Sequence, residues 1–239
     1  MSLPAVRVPV PLPVREARRE VLVVLDFDGL LINSYELLKS TFEHFGLDVG
    51  DEERFRKRRK FLKYLGGGRE LARNLVRLSL PKEKKIRERL TDEYIDRGRV
   101  YSEFEPLLNR LIESPAFHVG VVSRNFTYTP GLTIRTVLRR SGINEQDLDF
   151  VIPIPTGAKK GNVLDAMRAA RYTLNLFAAD EIGDYKAATE AGYEVLMSGY
   201  GFDSRKRLIE EAGTPPEIIF DTPGALAEQL ARRVGPYLP

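Results

Sequence analysis

Two aspartates follow directly on the apolar run 21–25: Asp26 and Asp28 stand in the pattern Asp-x-Asp-Gly, which Gly29 completes. An apolar run rich in β-branched residues and closed by a glycine turn predicts a buried parallel strand. Since strand side chains repeat every second residue, both carboxylates would lie on one face at the carboxyl end of that strand. Two like charges that close repel each other unless a cation or a shared proton compensates. A hard divalent metal ion, with oxygen ligands and a phosphate group, is the natural compensation.

Further polar residues follow three later predicted strands, at the same end of each. They are Ser123 after strand 117–122, Lys160 beyond strand 149–154, and Asp180 with Asp184 after strand 175–179. Because the carboxyl ends of parallel strands meet at one sheet edge, these side chains are expected to converge although they are far apart in sequence. A carboxylate nucleophile, a second carboxyl that acts as acid and base, a hydroxyl, a lysine and metal-binding aspartates together suit phosphoryl transfer.

Predicted strands and helices alternate through most of the chain. Strands are also predicted at 193–197 and 217–220, and helices from near 162, at 186–191 and at 224–233. This alternation predicts an α/β protein with a doubly wound parallel sheet. Between 34 and 105 the apolar residues instead recur at three- and four-residue spacing, which predicts an all-helical insertion after the first strand.

The chain is therefore predicted to have three parts. Residues 1–20 form a proline-rich N-terminal extension, residues 21–33 and 106–239 form the α/β core domain, and residues 34–105 form a helical cap domain. A chain of 239 residues is long enough for one sizeable core that carries a smaller inserted domain.

The composition excludes several kinds of site. Cysteine is absent, which excludes disulfides, thiolate metal sites and cysteine nucleophiles. The two histidines, His44 and His118, are far apart in sequence, so a histidine-based metal site is not expected. No apolar stretch approaches the roughly 18 to 20 residues that span a bilayer, and residues 1–20 lack the apolar core of a signal peptide. We therefore expect a cytoplasmic protein without membrane contact.

Positive charge is concentrated in the predicted insertion, although the net charge of the chain is only +3. Residues 54–89 contain fifteen Lys or Arg against three acidic residues, and the run 54–60 is the densest part. Such a segment suits an anionic partner, either a phosphorylated metabolite or nucleic acid. A solvated helix face is the alternative interpretation.

The ordered set of motifs resembles the haloacid dehalogenase superfamily. The first motif matches as Asp26-x-Asp28-Gly29, the second as Ser123, the third as Lys160 and the fourth as Asp180-x-x-x-Asp184. The resemblance covers the chain from Val21 to about Leu230. It implies a Rossmann-like core with an inserted helical cap of the C1 type. Lys159, next to Lys160, stays open as an alternative for the third motif.

The resemblance implies a role for each of these residues. Asp26 would attack the substrate phosphorus and form an aspartyl-phosphate, while Asp28 would protonate the leaving oxygen and then activate the hydrolytic water. The resemblance also implies that the phosphoryl group would be bound by Ser123, the neighbouring Arg124 and Lys160. Mg²⁺ would be held by Asp26, the Asp28 main-chain carbonyl, Asp180 and Asp184. The chain departs from relatives that often place Asn or Gly directly after the hydroxyl residue, since Arg124 and then Asn125 follow Ser123.

Within the predicted cap, residues 64–71 resemble the substrate-specificity loop of the phosphoglycolate phosphatase and phosphoglucomutase branch. Gly67 and Gly68 would permit close approach of the backbone to a ligand, and Arg69 could grip a carboxylate or a second phosphate. An ordinary helix–helix turn is the alternative.

The expected function is therefore that of a Mg²⁺-dependent phosphatase for a small phosphorylated metabolite, with 2-phosphoglycolate as the suggested substrate. A sugar phosphomutase is the second enzymatic interpretation. A nucleic-acid-binding protein or nucleic-acid end phosphatase that uses the basic cap is the alternative from another class.

Overall fold

Six parallel strands form a single sheet in the part of the chain that the structure, a computed structural model, describes: residues 20–51, 53, 83–168 and 172–238. The strand order is β3-β2-β1-β4-β5-β6. The strands are β1 (Val21–Leu25), β2 (Phe117–Ser123), β3 (Phe150–Pro153), β4 (Leu174–Ala179), β5 (Glu194–Ser198) and β6 (Ile219–Phe220). The order reverses direction around β1, and ligands of open α/β sheets bind at such a reversal, beyond the carboxyl ends of the strands.

Eight α-helices accompany the sheet in the described residues. They are α1 (Ser34–His44), α2 (Glu83–Arg97), α3 (Glu105–Glu113), α4 (Pro130–Arg140), α5 (Lys160–Met167), α6 (Ile182–Glu190), α7 (Arg205–Ala212) and α8 (Pro223–Val234). None of them is long and apolar enough to cross a membrane. The alternation of strands and helices confirms the predicted α/β class with a parallel sheet.

The central strand β1, which leads into the two aspartates, is packed on both of its faces. All five of its residues are buried, and alternate side chains enter two different apolar clusters: Val21, Val23 and Leu25 on one face, Leu22 and Val24 on the other. A strand covered on both faces reads as a continuous apolar run, which is the pattern seen in the sequence.

The predicted strands are all present, with shifts at their ends. The last one is shorter than expected: a 3₁₀ turn at Pro216–Ile218 replaces the first half of the predicted strand 217–220. Helix α6 begins at Ile182 and not at residue 186, because the carboxylate of Asp203 accepts a hydrogen bond of 2.9 Å from the Ile182 N–H and caps the helix from outside its own sequence.

The predicted insertion leaves and rejoins the core through adjacent backbone. Ile32 and Val100 form an antiparallel bridge, and the Tyr101 N–H donates to the Leu31 carbonyl at 2.9 Å. Residues 98–104 are not helical, which corrects the expectation that the helical pattern continues to about residue 105. The extension 1–19, the basic run 54–60 and the loop at 64–71 lie outside the described residues. The division of the chain into core and cap domains stays a prediction.

Candidate active site

Asp26 is the first residue after β1 and is almost completely buried. Its backbone N–H donates to the Ala178 carbonyl of β4 at 2.9 Å, which extends the sheet pairing through this residue. Its carboxylate accepts 2.7 Å hydrogen bonds from the Phe27 N–H and from Lys160 Nζ. Burial alone would raise the pKa of Asp26, but the charge of Lys160 and the hydrogen bonds from Asp184, Lys160 and Ser123 together outweigh it, so the pKa is lowered.

Lys160 joins Asp26 to Asp184. Its Nζ lies 2.7 Å from Asp26 Oδ2 and 2.5 Å from Asp184 Oδ2, and all three side chains are buried. Burial lowers the pKa of Lys160, but the charges of Asp184 and Asp26 more than compensate, so the pKa is raised and the lysine stays a cation. Lys159 precedes helix α5 as an exposed residue. Of the two lysines that the sequence left open, the structure places Lys160 beside the aspartates.

Asp180 follows β4 and contributes an oxygen that no described group satisfies. Its Oδ2 accepts a 2.6 Å hydrogen bond from the Phe202 N–H, whereas its buried Oδ1 has no hydrogen-bonding partner. Burial, together with the charges of Glu181 and Asp26, raises the pKa of Asp180. A buried polar atom without a partner is rare in native structures, and this oxygen is therefore a candidate ligand for an ion.

A metal ion fits this group of carboxylates. One oxygen each from Asp26, Asp180 and Asp184 lies within 4.8 Å of the others, and all three residues are buried. Carboxylate oxygens are the ligands that Mg²⁺ prefers in proteins, and a cation would offset the repulsion among them. The carboxylate of Asp28 is not part of this cluster. The ligand predicted at that position is the main-chain carbonyl.

The side chain of Asp28 has entirely different partners. Its Oδ1 accepts from Ser34 Oγ at 2.6 Å and from the Tyr94 hydroxyl at 2.5 Å, and its Oδ2 accepts from Asn125 Nδ2 at 3.0 Å. Burial raises its pKa to about 6, with the charge of Asp26 adding to this effect, although hydrogen bonds from Ser34, Tyr94 and Asn125 oppose it. Asp26 is therefore paired with a cation, whereas Asp28 is surrounded by neutral donors.

The three residues at the end of β2 are placed in different ways. Ser123 is buried, and its Oγ makes no hydrogen bond of standard geometry, although it lies close enough to Asp26 to help lower that pKa. The Arg124 guanidinium donates to the Ala158 carbonyl at 2.7 Å. Asn125, and not Arg124, reaches Asp28. Arg124 is thus half-buried against the segment that leads to Lys160, and its role in phosphate binding stays a prediction.

Sequence reasoning missed three residues that hold Asp28: Ser34, Tyr94 and Asn125. Asn125 had a signal, since it stands two positions after Ser123 in a segment already singled out. Tyr94 had none, because its position in a helical pattern 66 residues away says nothing about its partner. The predicted specificity residues Gly67, Gly68 and Arg69 lie outside the described residues.

Solved structures with a similar architecture include a haloacid dehalogenase-like hydrolase and proteins named for phosphatase and phosphomutase activities. A haloacid dehalogenase-like hydrolase from Streptococcus pneumoniae has a TM-score of 0.56 and 19% sequence identity, over 90% of this chain and 99% of that one. A proposed β-phosphoglucomutase from Thermotoga maritima has a TM-score of 0.59 and 16% identity, over 88% and 98% of the two chains. A predicted phosphoglycolate phosphatase from Haemophilus somnus has a TM-score of 0.55 and 17% identity, over 89% and 98%.

These similarities define the class of fold: the chain has the α/β fold of the haloacid dehalogenase-like hydrolases. The shared region includes almost the full length of each neighbour, which agrees with the extent of the resemblance seen in the sequence. No family model and no curated protein sequence matches the chain.

Proposed function

We propose that the protein is a Mg²⁺-dependent phosphatase that hydrolyses a small phosphorylated metabolite through an aspartyl-phosphate. The observation that carries this proposal is the contrast between two neighbouring carboxyls: Asp26 is paired with Lys160, whereas Asp28 is held by uncharged donors. Two titratable groups in such different environments can divide the roles of nucleophile and acid/base between them. The fold and the order of the motifs support the same assignment.

Each residue then has a defined task. The Asp26 carboxylate attacks the substrate phosphorus, the bond to the leaving oxygen breaks, and that oxygen takes a proton from Asp28. In the second half of the reaction Asp28 takes a proton from the water that attacks the phosphorus of the aspartyl-phosphate, and Asp26 is released. Lys160 offsets negative charge throughout, and Ser123 Oγ, which lacks a standard hydrogen bond of its own, donates to a phosphoryl oxygen.

Asp26, Asp180 and the Asp28 main-chain carbonyl, with Asp184 as direct or water-mediated support, would hold Mg²⁺. The ion would neutralise negative charge on the phosphoryl group as it passes between oxygens. The unsatisfied Oδ1 of Asp180 supports this assignment.

For the substrate, we propose a small phosphorylated metabolite with a second anionic group, and 2-phosphoglycolate is the first compound to test. The support is indirect: one structural neighbour is named as a phosphoglycolate phosphatase, and the predicted insertion is rich in Lys and Arg.

The name of the Thermotoga maritima neighbour favours a sugar phosphomutase as the second candidate, in which the phosphoryl group passes from Asp26 to a sugar hydroxyl.

The test is a screen of phosphorylated metabolites with Mg²⁺, run in parallel on the wild type and on Asp26→Asn. We expect phosphate release by the wild type and a loss of at least about 10³-fold in the variant, since the nucleophile is removed. Activity that survives in Asp26→Asn would refute the assignment of the nucleophile. Isomerised sugar phosphate without net phosphate release would favour the mutase. Salt-sensitive retention of an oligonucleotide, without phosphatase activity, would favour the nucleic-acid-binding alternative.

A further inference from the structure

Two of the three donors that hold Asp28 saturate one of its two carboxyl oxygens. A carboxylate oxygen offers two acceptor positions. Both positions on Oδ1 are used, by the hydroxyls of Ser34 and Tyr94, whereas Oδ2 accepts only the Asn125 amide from among the described residues. Oδ2 therefore has the position from which a proton can be given to a substrate or taken from a water molecule.

The two hydroxyls on Oδ1 come from the predicted insertion, and the amide on Oδ2 comes from the core. Ser34 begins α1 and Tyr94 lies on α2. Both residues lie between Ile32 and Val100, which pair where the predicted insertion leaves and rejoins the core. Asn125 follows β2 of the sheet. The orientation of the Asp28 carboxyl thus depends on where α1 and α2 stand relative to the sheet.

Tyr94 is well placed to keep this geometry. Its side chain is 2% exposed, and its hydroxyl donates to Asp28 Oδ1 at 2.5 Å. A tyrosine ring packed on a helix also has little rotational freedom, unlike the small Ser34 side chain. A buried donor to a carboxylate contributes more than a neutral pair does, because one partner carries charge.

We propose that Tyr94 is a positioning residue for the acid/base Asp28: its hydroxyl occupies Oδ1, so that Oδ2 is the oxygen that exchanges protons with substrate and water. This inference rests on the proposed phosphatase function. It also assigns the predicted insertion a part in the reaction, because a displacement of α2 would withdraw the hydroxyl and free the carboxyl to rotate.

The test is Tyr94→Phe, assayed on two substrates that differ in their need for an acid. An alkyl phosphate has a poor leaving group and needs a proton from Asp28, whereas p-nitrophenyl phosphate has a good one and needs it little. Since kcat/KM reports only the steps up to formation of the aspartyl-phosphate, it isolates the acid step from the later attack of water. We expect kcat/KM for the alkyl phosphate to fall about tenfold or more, and that for p-nitrophenyl phosphate to change no more than about threefold.

Tyr35→Phe is the matched control. Tyr35 also lies in the predicted insertion and is buried, but its hydroxyl donates to the Gly50 carbonyl at 2.9 Å and not to Asp28. We expect this variant to keep the wild-type ratio of the two kcat/KM values. Ser34→Ala removes the other donor to Oδ1 and is expected to shift the ratio in the same direction as Tyr94→Phe, which keeps the test valid if Tyr94→Phe does not fold.

Equal losses on both substrates in Tyr94→Phe, or in Ser34→Ala where the first variant fails to fold, would overturn the positioning role. A failure of the proposed function is a separate result: the wild type would then hydrolyse neither substrate, or Asp26→Asn would remain active on both.

Discussion

Asp180 lies so close to two glycines that neither glycine position has room for a side chain. A Cβ at Gly29 would lie 2.1 Å from Asp180 Oδ2, and a Cβ at Gly201 would lie 2.3 Å from Asp180 Cβ. Gly29 has, in addition, a φ of +75°, in the left-handed region that favours glycine. The glycine of the Asp-x-Asp-Gly pattern is thus explained by an aspartate about 150 residues later in the chain.

Substituting Gly201 tests whether the close packing of the glycines around Asp180 supports Mg²⁺ binding. Gly201→Ala is expected to displace Asp180 and to weaken Mg²⁺ affinity by about 10- to 100-fold, as the loss of a supporting contact at a metal site typically does. The affinity is read from the Mg²⁺ dependence of phosphate release. Gly235→Ala, at a helical position with open space around it, is the control. An unchanged Mg²⁺ dependence in Gly201→Ala would contradict the account.

Lys160 is the cation among the described residues that holds Asp26 and Asp184 together. Its removal in Lys160→Ala leaves buried carboxylates without their counter-charge, so we expect activity to fall by about 10² to 10³-fold. The exposed Lys159 makes the matched control, and Lys159→Ala is expected to stay within a few-fold of the wild type. Turnover measured with saturating Mg²⁺ decides the comparison. A larger loss for Lys159→Ala would reverse the assignment of the third motif.

At the scale of elements, helix α2 carries a buried charge as well as Tyr94. Glu93 is 4% exposed and pairs with Arg89 and Arg97, one helical turn away on either side. Burial alone would raise the pKa of Glu93, but hydrogen bonds from Ser40 and Arg97 and the charge of Arg89 outweigh it, so the pKa is lowered. Because Ser40 lies on α1, Glu93 also links the two described helices of the predicted insertion.

This lowered pKa predicts a dependence of stability on acid. A carboxyl whose pKa is lower in the folded state contributes stability that is present above its ordinary pKa and is lost as the pH falls through the lowered value. Glu93→Gln is therefore expected to show a smaller drop in the free energy of unfolding between pH 7 and pH 3 than the wild type, measured by urea denaturation. Glu88→Gln, on the same helix but half exposed, is the control. The same drop in Glu93→Gln and the wild type would contradict the prediction.

The elements that local signals define could be predicted, and those that distant contacts define could not. Strand β1 and its two aspartates follow from one apolar run and one glycine. The start of α6 was placed four residues too late, because its cap is the carboxylate of Asp203 from beyond β5. Tyr94 was missed for the same reason, since its partner Asp28 is set by how α2 packs and not by the residues around it.

At the scale of the molecule, the strand order brings the site together. With β1 between β2 and β4, the residues at the carboxyl ends of these three strands meet at one edge: Asp26, Ser123 and Asp180. The resulting site holds several buried carboxyls against one lysine, and their mutual repulsion is a cost to the folded state without a metal. A bound cation is therefore expected to stabilise the whole fold.

Thermal unfolding with and without Mg²⁺ measures this coupling. At a Mg²⁺ concentration 100-fold above its Kd, the folded wild type is expected to gain about 2.7 kcal/mol, and the Tm rises accordingly. Asp180→Asn is expected to lose most of this Mg²⁺-dependent shift, whereas Asp165→Asn, at an exposed position, keeps it. A full Mg²⁺-dependent shift in Asp180→Asn would place the metal elsewhere.

The central claim is that Asp26 carries the phosphoryl group during the reaction. Trapping the ³²P-labelled aspartyl-phosphate tests this claim most directly. The wild type is mixed with a ³²P-labelled substrate and Mg²⁺, quenched in acid within the first turnover, and digested to locate the label. We predict acid-stable, hydroxylamine-sensitive label on the peptide that contains Asp26, and none in Asp26→Asn. Rapid phosphate release with no label on that peptide, or label on another residue, would contradict the account.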